Sequence, residues 1–202
     1  MERSVVTKQV IVGDIINILA CRDVNYTERA VKTLVEEFFE FMTMELIHRS
    51  TIYFSGVGKV HGSIKEAGRP VRNPRTGEPH IMERVVSYKF VNGTGTISKK
   101  VDKKIVKSTF IKWFSARFDG DGSIARECAS LIIGYVRDVK LNGRRIEIRG
   151  FGSFSCKTRT QRNARNPKTG QKIIATTKNY VVFKASALAQ LRANELVRQL
   201  VE

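Results

Sequence analysis

Apolar positions along the chain repeat with two periods, and the whole order is run through twice. Ile11, Ile15, Ile18 and Leu19 share one face of a helical projection, and Val31, Leu34, Val35, Phe38, Met42 and Leu46 form a longer stripe at the spacing of an amphipathic helix. Asn25, followed by Glu28, supplies N-cap chemistry for that second helix. A β-rich run from Thr51 to Phe54 then leads to Gly56 and Gly58. Further on, Phe110, Ile111, Phe114 and Phe118 mark a helix that Ser108 or Thr109 can cap, and Cys128, Leu131, Ile132, Tyr135, Val136 and Val139 mark its longer partner. Ser123 is placed to cap that partner, and Asn142-Gly143 to close it. Ile146 and Ile148 alternate with Arg145, Glu147 and Arg149, the two-residue period of a strand. A helical hairpin this apolar on one side needs a surface to cover it.

Each strand runs into a glycine-flanked apolar anchor and then a basic ribbon. From Gly150 to Gly170 the chain reads GFGSFSCKTRTQRNARNPKTG. Phe151 and Phe154 sit where glycine permits close backbone approach. Lys157, Arg159, Arg162 and Arg165 recur every two or three residues, so a strand carries several on one face, and Asn166-Pro167-Lys168-Thr169-Gly170 is turn chemistry. Lys172, Ile173, Ile174 and Lys178 lead back to Val182 and Phe183, completing a cationic hairpin arm. The earlier copy sets Val57 and Val60 in the places of the two phenylalanines, then gives Arg69, Arg72 and Asn73-Pro74-Arg75-Thr76-Gly77. Gly77 leads to Phe90 as Gly170 leads to Phe183. This first arm also has Lys65, but Glu66, Glu78 and Glu83 offset its charge, and it holds one more residue between Val60 and Asn73. The period is too long for a solenoid, so the chain is a duplicated unit.

In these motifs each half resembles a protomer of the bacterial histone-like HU and integration host factor family. The sharpest part runs from Gly150 through Arg165-Asn166-Pro167 and Gly170 to Phe183, departing at Ala164, where the family usually has glycine. The resemblance implies an α+β fold: a helical base and two β-hairpin arms arranged as a pseudo-twofold single-chain dimer, each helical hairpin covering the other. Expected boundaries are 1–90 for the first repeat, 91–104 for a linker whose Gly-, Thr- and Lys-rich sequence carries no helical stripe, and 105–202 for the second. Ser186 would cap a terminal helix bearing Leu188, Leu191, Leu196 and Leu200. The family is itself an example of minor-groove architectural binding. By resemblance the DNA-binding residues are Arg69, Arg72, Asn73, Pro74, Arg75, Lys157, Arg159, Arg162, Arg165, Asn166, Pro167, Lys168 and Lys172, with Pro74 and Pro167 wedging between base steps.

Charge agrees with a polyanionic partner. The 202 residues include 36 Lys and Arg against 19 Asp and Glu, for a net +17. The expected partner is double-stranded DNA, bound and bent with little sequence preference by a monomer acting as a pseudo-dimer, a domain-swapped dimer being the other arrangement. The alternatives are a viral DNA-packaging protein, a site-specific recombination or replication accessory factor, or an RNA-binding protein. No phosphate loop, nucleophile elbow or metal motif points to an enzyme or a cofactor. His48, His61 and His80 lack ligand spacing and read as surface or groove-contacting residues. The turn Asp119-Gly120-Asp121-Gly122 fails as a calcium loop, having Ile124 and Ser130 where glycine and glutamate are needed. Cys21, Cys128 and Cys156 form no pairing pattern, and Cys128 belongs to a buried helix face. No membrane span is expected, since Lys8, Asp14 and Asn17 break the apolar N-terminal run. The expected location is cytoplasmic, on the nucleoid or with DNA in a viral particle.

Overall fold

Helix boundaries follow local hydrogen-bond chemistry more closely than composition. A computed structural model describes residues 5–93, 103–165 and 168–199. The first half runs β1 (Val5–Thr7), α1 (Lys8–Ala20), α2 (Glu28–Ile47), β2 (Thr51–Phe54), β3 (Gly58–Lys65), β4 (Pro70–Arg72), β5 (Pro79–Ile81) and β6 (Val85–Asn92). The second runs β7 (Lys104–Ile105), α3 (Lys107–Ser115), α4 (Gly122–Asn142), β8 (Arg145–Ile148), β9 (Gly152–Arg159), β10 (Arg162–Arg165), β11 (Lys172–Ala175), β12 (Lys178–Ala185) and α5 (Ala187–Gln199). Thr27, not Asn25, caps α2, its hydroxyl accepting from the Ala30 N–H at 3.2 Å. Asp121, not Ser123, caps α4, because its carboxylate accepts from the N–H groups of both Ser123 and Ile124. Helix α3 starts after Val106, and Thr109 lies inside it, accepting from the Val106 N–H at 3.3 Å. Gly143 ends α4 in the left-handed conformation, and Ser186 caps α5 through the Ala189 N–H, both as expected.

The two helical hairpins bury one core between them. Phe38, fully buried on α2, stacks on Phe114 with ring centroids 4.8 Å apart and meets Phe110 and Trp113 edge-on. Phe39 packs on Phe151 and Phe54 on Phe154, so aromatic contacts cross between halves at several levels. Tyr135 of α4 donates to Asp14 of α1, and Arg22 pairs with Glu127. On α1 the buried face is Ile11, Val12, Ile15 and Leu19, with Ile18 only half-buried.

Strand exchange, which no periodicity in the chain signals, ties the halves together a second time. β1 of the first half adds in parallel to β8, making the sheet β1-β8-β9-β12. β7 of the second half adds in parallel to β2, making β6-β3-β2-β7. Of the expected linker, Val91 and Asn92 still pair with β3, Lys103 pairs with Glu45 at 2.6 Å, and Lys104 belongs to β7. The remainder, 94–102, lies outside the described residues. Glycine is required where the two hairpins start inside the body's sheets: a Cβ on Gly58 would lie 2.4 Å from the Val91 carbonyl oxygen, and one on Gly152 2.5 Å from that of Lys184.

The face of α5 differs from expectation. Ala189, Ala193 and Val197 are buried, while Leu188 and Leu191 are 51% and 59% exposed, because small residues let the helix lie close to its support. Leu200 lies outside the described residues.

Two buried acids make stability depend on alkaline pH. Burial pushes the Tyr88 phenol up to about 12, and burial, with a smaller push from the Glu127 charge, takes the Cys128 thiol to about 12. Each folded-state value is raised, so the folded chain keeps protons that the unfolded chain releases from about pH 9 upward. Stability from these groups is complete below that point and is lost as pH rises toward 12. Urea midpoints at pH 8, 10 and 11 should fall in that order, and Tyr88→Phe should flatten the fall above pH 10; midpoints that do not change with pH would contradict this assignment.

Candidate nucleic-acid interface

Two hairpins carry the cations outward, and each is built in two sections. In arm 1, β3 and β6 pair from Gly58↔Asn92 to Lys65↔Val85, and β4 and β5 continue it from Pro70↔Ile81 to Arg72↔Pro79. In arm 2, β9 pairs with β12 from Gly152↔Ala185 to Arg159↔Lys178, and β10 with β11 from Arg162↔Ala175 to Arg165↔Lys172. Between the sections of arm 2, the Gln161 N–H donates to the Thr177 hydroxyl at 3.2 Å.

The tip of arm 1 is an Asx turn. Asn73 accepts from the Arg75 N–H through its side chain at 2.9 Å and from the Gly77 N–H through its carbonyl at 2.8 Å, and its own N–H donates to Glu78. These bonds fix Pro74 and Arg75 at the exposed end of the hairpin. In arm 2, Asn166 and Pro167 lie outside the described residues, and Lys168 is exposed just beyond them.

Strand register decides which cations share a face. Lys157 and Arg159 are two apart on β9 and point the same way; Arg159 also sits 5.0 Å from the ring centre of Tyr180. Arg162 and Arg165 are three apart on β10 and point to opposite faces, so the ribbon is basic on both sides rather than along one. Arg165 and Lys172 lie directly opposite each other, as do Arg159 and Lys178. Lys178 thus joins the arm's cations, a pairing that only the register reveals. Arg69, Arg72, Arg75, Lys157, Arg162, Arg165 and Lys172 form no ion pair among the described residues. Exposed Ile81 on arm 1 and Ile173 and Ile174 on arm 2 place apolar side chains among them.

The arms are electrostatically unequal. From Lys65 to Arg84, arm 1 holds five basic and three acidic residues; from Lys157 to Lys178, arm 2 holds seven basic residues and no acid. Glu66 is braced by Arg84 at 2.6 Å and Arg49 at 4.0 Å, and Glu83 by Arg198, which turns part of arm 1's charge inward. The imbalance extends through the chain: 15 basic and 12 acidic residues precede Lys103, and 21 and 7 follow from it, leaving +3 and +14. A cleft of about 1480 Å³ opens at the root of arm 1, lined by both signs of charge: Lys8 pairs there with Glu36 and Arg145 with Glu147.

Of the histidines, His61 is buried rather than at the surface, its Nδ1 lying 3.0 Å from the Thr51 hydroxyl, and His80 is exposed on β5. No group of three or more His, Cys, Asp or Glu side chains among the described residues could hold a metal ion. No helix among them is long and apolar enough to cross a membrane.

The family profile described as bacterial DNA-binding protein matches residues 12–105 and again 105–194. Integration host factor subunit beta of Teredinibacter turnerae is 39% identical over 97 residues, covering 48% of this chain and 99% of that protein. The same subunit of Saccharophagus degradans is 37% identical over 95 residues, covering 46% and 97%. An Anabaena HU-DNA cocrystal structure is 22% identical and covers 43% of this chain and 94% of its own, with a TM-score of 0.36.

Proposed function

The chain belongs to the bacterial DNA-binding protein family, in two tandem copies, and on that premise we propose that it is an architectural protein that grips and bends duplex DNA between two unequal arms. The observation that carries this reading is the pair of cationic hairpins rising from one shared base, one of them tipped by Asn73-Pro74-Arg75. In it, units 1–90 and 105–202 take the places of two protomers, joined through 91–104. Arm residues enter the minor groove, where Pro74 and Pro167 wedge between base steps and unstack them. Unstacking costs a few kcal/mol per step, and the phosphate wrapped onto the basic flanks offsets it. Arg69, Arg72, Asn73, Arg75, Lys157, Arg159, Arg162, Arg165, Asn166, Lys168 and Lys172 contact phosphate or groove. The minor groove presents a degenerate code, so shape and flexibility matter more than base identity. The reading places the protein with DNA in the cytoplasm, and it includes no catalytic step.

The test compares three duplexes of equal length: straight DNA, DNA with a central nick, and RNA. Nicked DNA should bind at least tenfold more tightly than straight DNA, because its deformation is already made, and RNA should bind most weakly, because an A-form minor groove is wide and shallow. Equal affinity for all three would reduce the arms to cationic tethers and remove the wedge.

A further inference from the structure

We propose that α5 is a brace that fixes the angle of arm 1 and leaves arm 2 to swing, with Asn194 and Gln190 as the positioning residues. The functional half of the proposal rests on the DNA-bending reading above; the mechanical half does not.

Arm 1 leaves the body at Val86, and α5 holds that residue in three ways. The side-chain oxygen of Asn194 accepts from the Val86 N–H at 3.0 Å, and the Gln190 amide donates to the Val86 carbonyl at 2.6 Å and to the Asn194 oxygen at 3.1 Å. Two helix side chains thus satisfy both outward backbone groups of one strand residue. Beneath them, Ile47, Val86, Ala193 and Val197 form a small apolar cluster separate from the main core, with Ile64 packed against it. Beyond them, Arg198 pairs with Glu83 at the outer end of the contact. Apolar contact, backbone clip and ion pair all fall within the first residues of the arm, where a small change of angle moves the tip furthest.

The matching place on arm 2 is built for water. Ile64 pairs with Val86 across arm 1, and the equivalent cross-strand pair in arm 2, counted from Gly58 and Gly152 and from Phe90 and Phe183, is Thr158 with Asn179. Both are exposed, and the Thr158 hydroxyl donates to the Asn179 side chain at 2.8 Å. Leu141, the equivalent of buried Ile47, is 66% exposed. An apolar pair under a helix in one arm is therefore a polar pair facing solvent in the other. Arm 2 is clipped nearer the body, at Val181, whose N–H donates to the Asn92 side chain and whose carbonyl accepts from it. Beyond that point its Thr158–Asn179 joint has no clip from a helix among the described residues, so arm 1 is the fixed lever that sets the bend and arm 2 supplies charge through the freer joint.

Asn194→Leu keeps the branched outline of the side chain and removes the acceptor; Asn194→Asp keeps the acceptor. In the free protein, amide exchange of β6 and the facing part of β3 should quicken at least tenfold in Asn194→Leu, with β9 and β12 unchanged and Asn194→Asp close to wild type. On end-labelled nicked DNA, Asn194→Leu should lower the energy-transfer signal of bending while affinity changes less than threefold. Unchanged exchange in arm 1, or equal quickening in both arms, would overturn the brace. Quickened exchange with an unaltered bend would overturn its role in setting the bend. Wild-type protein that does not bend DNA would sink the functional reading, while the exchange experiment still judges the brace.

Discussion

Phe38→Ala is expected to cost about 3–5 kcal/mol and to lower the stability of both halves in one transition. The magnitude follows from burial, since Phe38 is fully buried and touches rings from α3 as well as its own helix, leaving little freedom for the site to collapse around a cavity. The cooperativity follows from the shared construction. One core takes residues from both hairpins, and each half lends a strand to the other's sheet. Urea unfolding followed by Trp113 fluorescence and by far-ultraviolet circular dichroism should give one midpoint, shifted equally in both signals. A split transition, with most of the helical signal unmoved, would mean that the halves fold separately.

The second large effect is expected in binding. Arg162→Ala with Arg165→Ala should weaken DNA binding on the order of thirtyfold near physiological salt and lower the salt slope by about 2, as losing two phosphate contacts requires. Arg69→Ala with Arg72→Ala should do less. Each cation acts in the field of its neighbours, and arm 1 carries three glutamates while arm 2 carries none. Titrations of one duplex at several salt concentrations, with both double variants, measure the difference directly. An arm 1 pair that costs as much as the arm 2 pair would refute unequal engagement.

What the sequence disclosed and what it hid divide along range. The stripe from Val31 to Leu46, the alternation at Ile146 and Ile148, and the Gly143 stop are local signals, and each stands in the structure. The duplication was legible because glycine spacing reports backbone approach, which Gly58 and Gly152 both make. Helix caps were misplaced by two residues or so because several polar residues cluster before each helix, and only backbone geometry selects among them. The strands of two and three residues, β7 and β1, carry no periodicity of their own and exist only because a partner edge lies beside them. The leucines of α5 misled for the opposite reason: hydrophobicity pointed to Leu188 and Leu191, but close packing needed alanine. In the arms, counting cations found the ribbon, while the placing of Arg162 and Arg165 on opposite faces needed the register.

The side-chain amides that meet backbone have a consequence for crowding. Strands β6 and β12 end their sheets, and a sheet's end is a template on which another chain can grow. Here Asn92 of β6 pairs with both the N–H and the carbonyl of Val181 on β12, at 2.7 and 2.9 Å, while Gln190 and Asn194 occupy those of Val86. The opposite ends are strands of only three and two residues. Copies lined up shoulder to shoulder along a polymer meet at high local concentration, the condition that favours runaway strand addition, and at Val86 and Val181 the growing points are already capped from within.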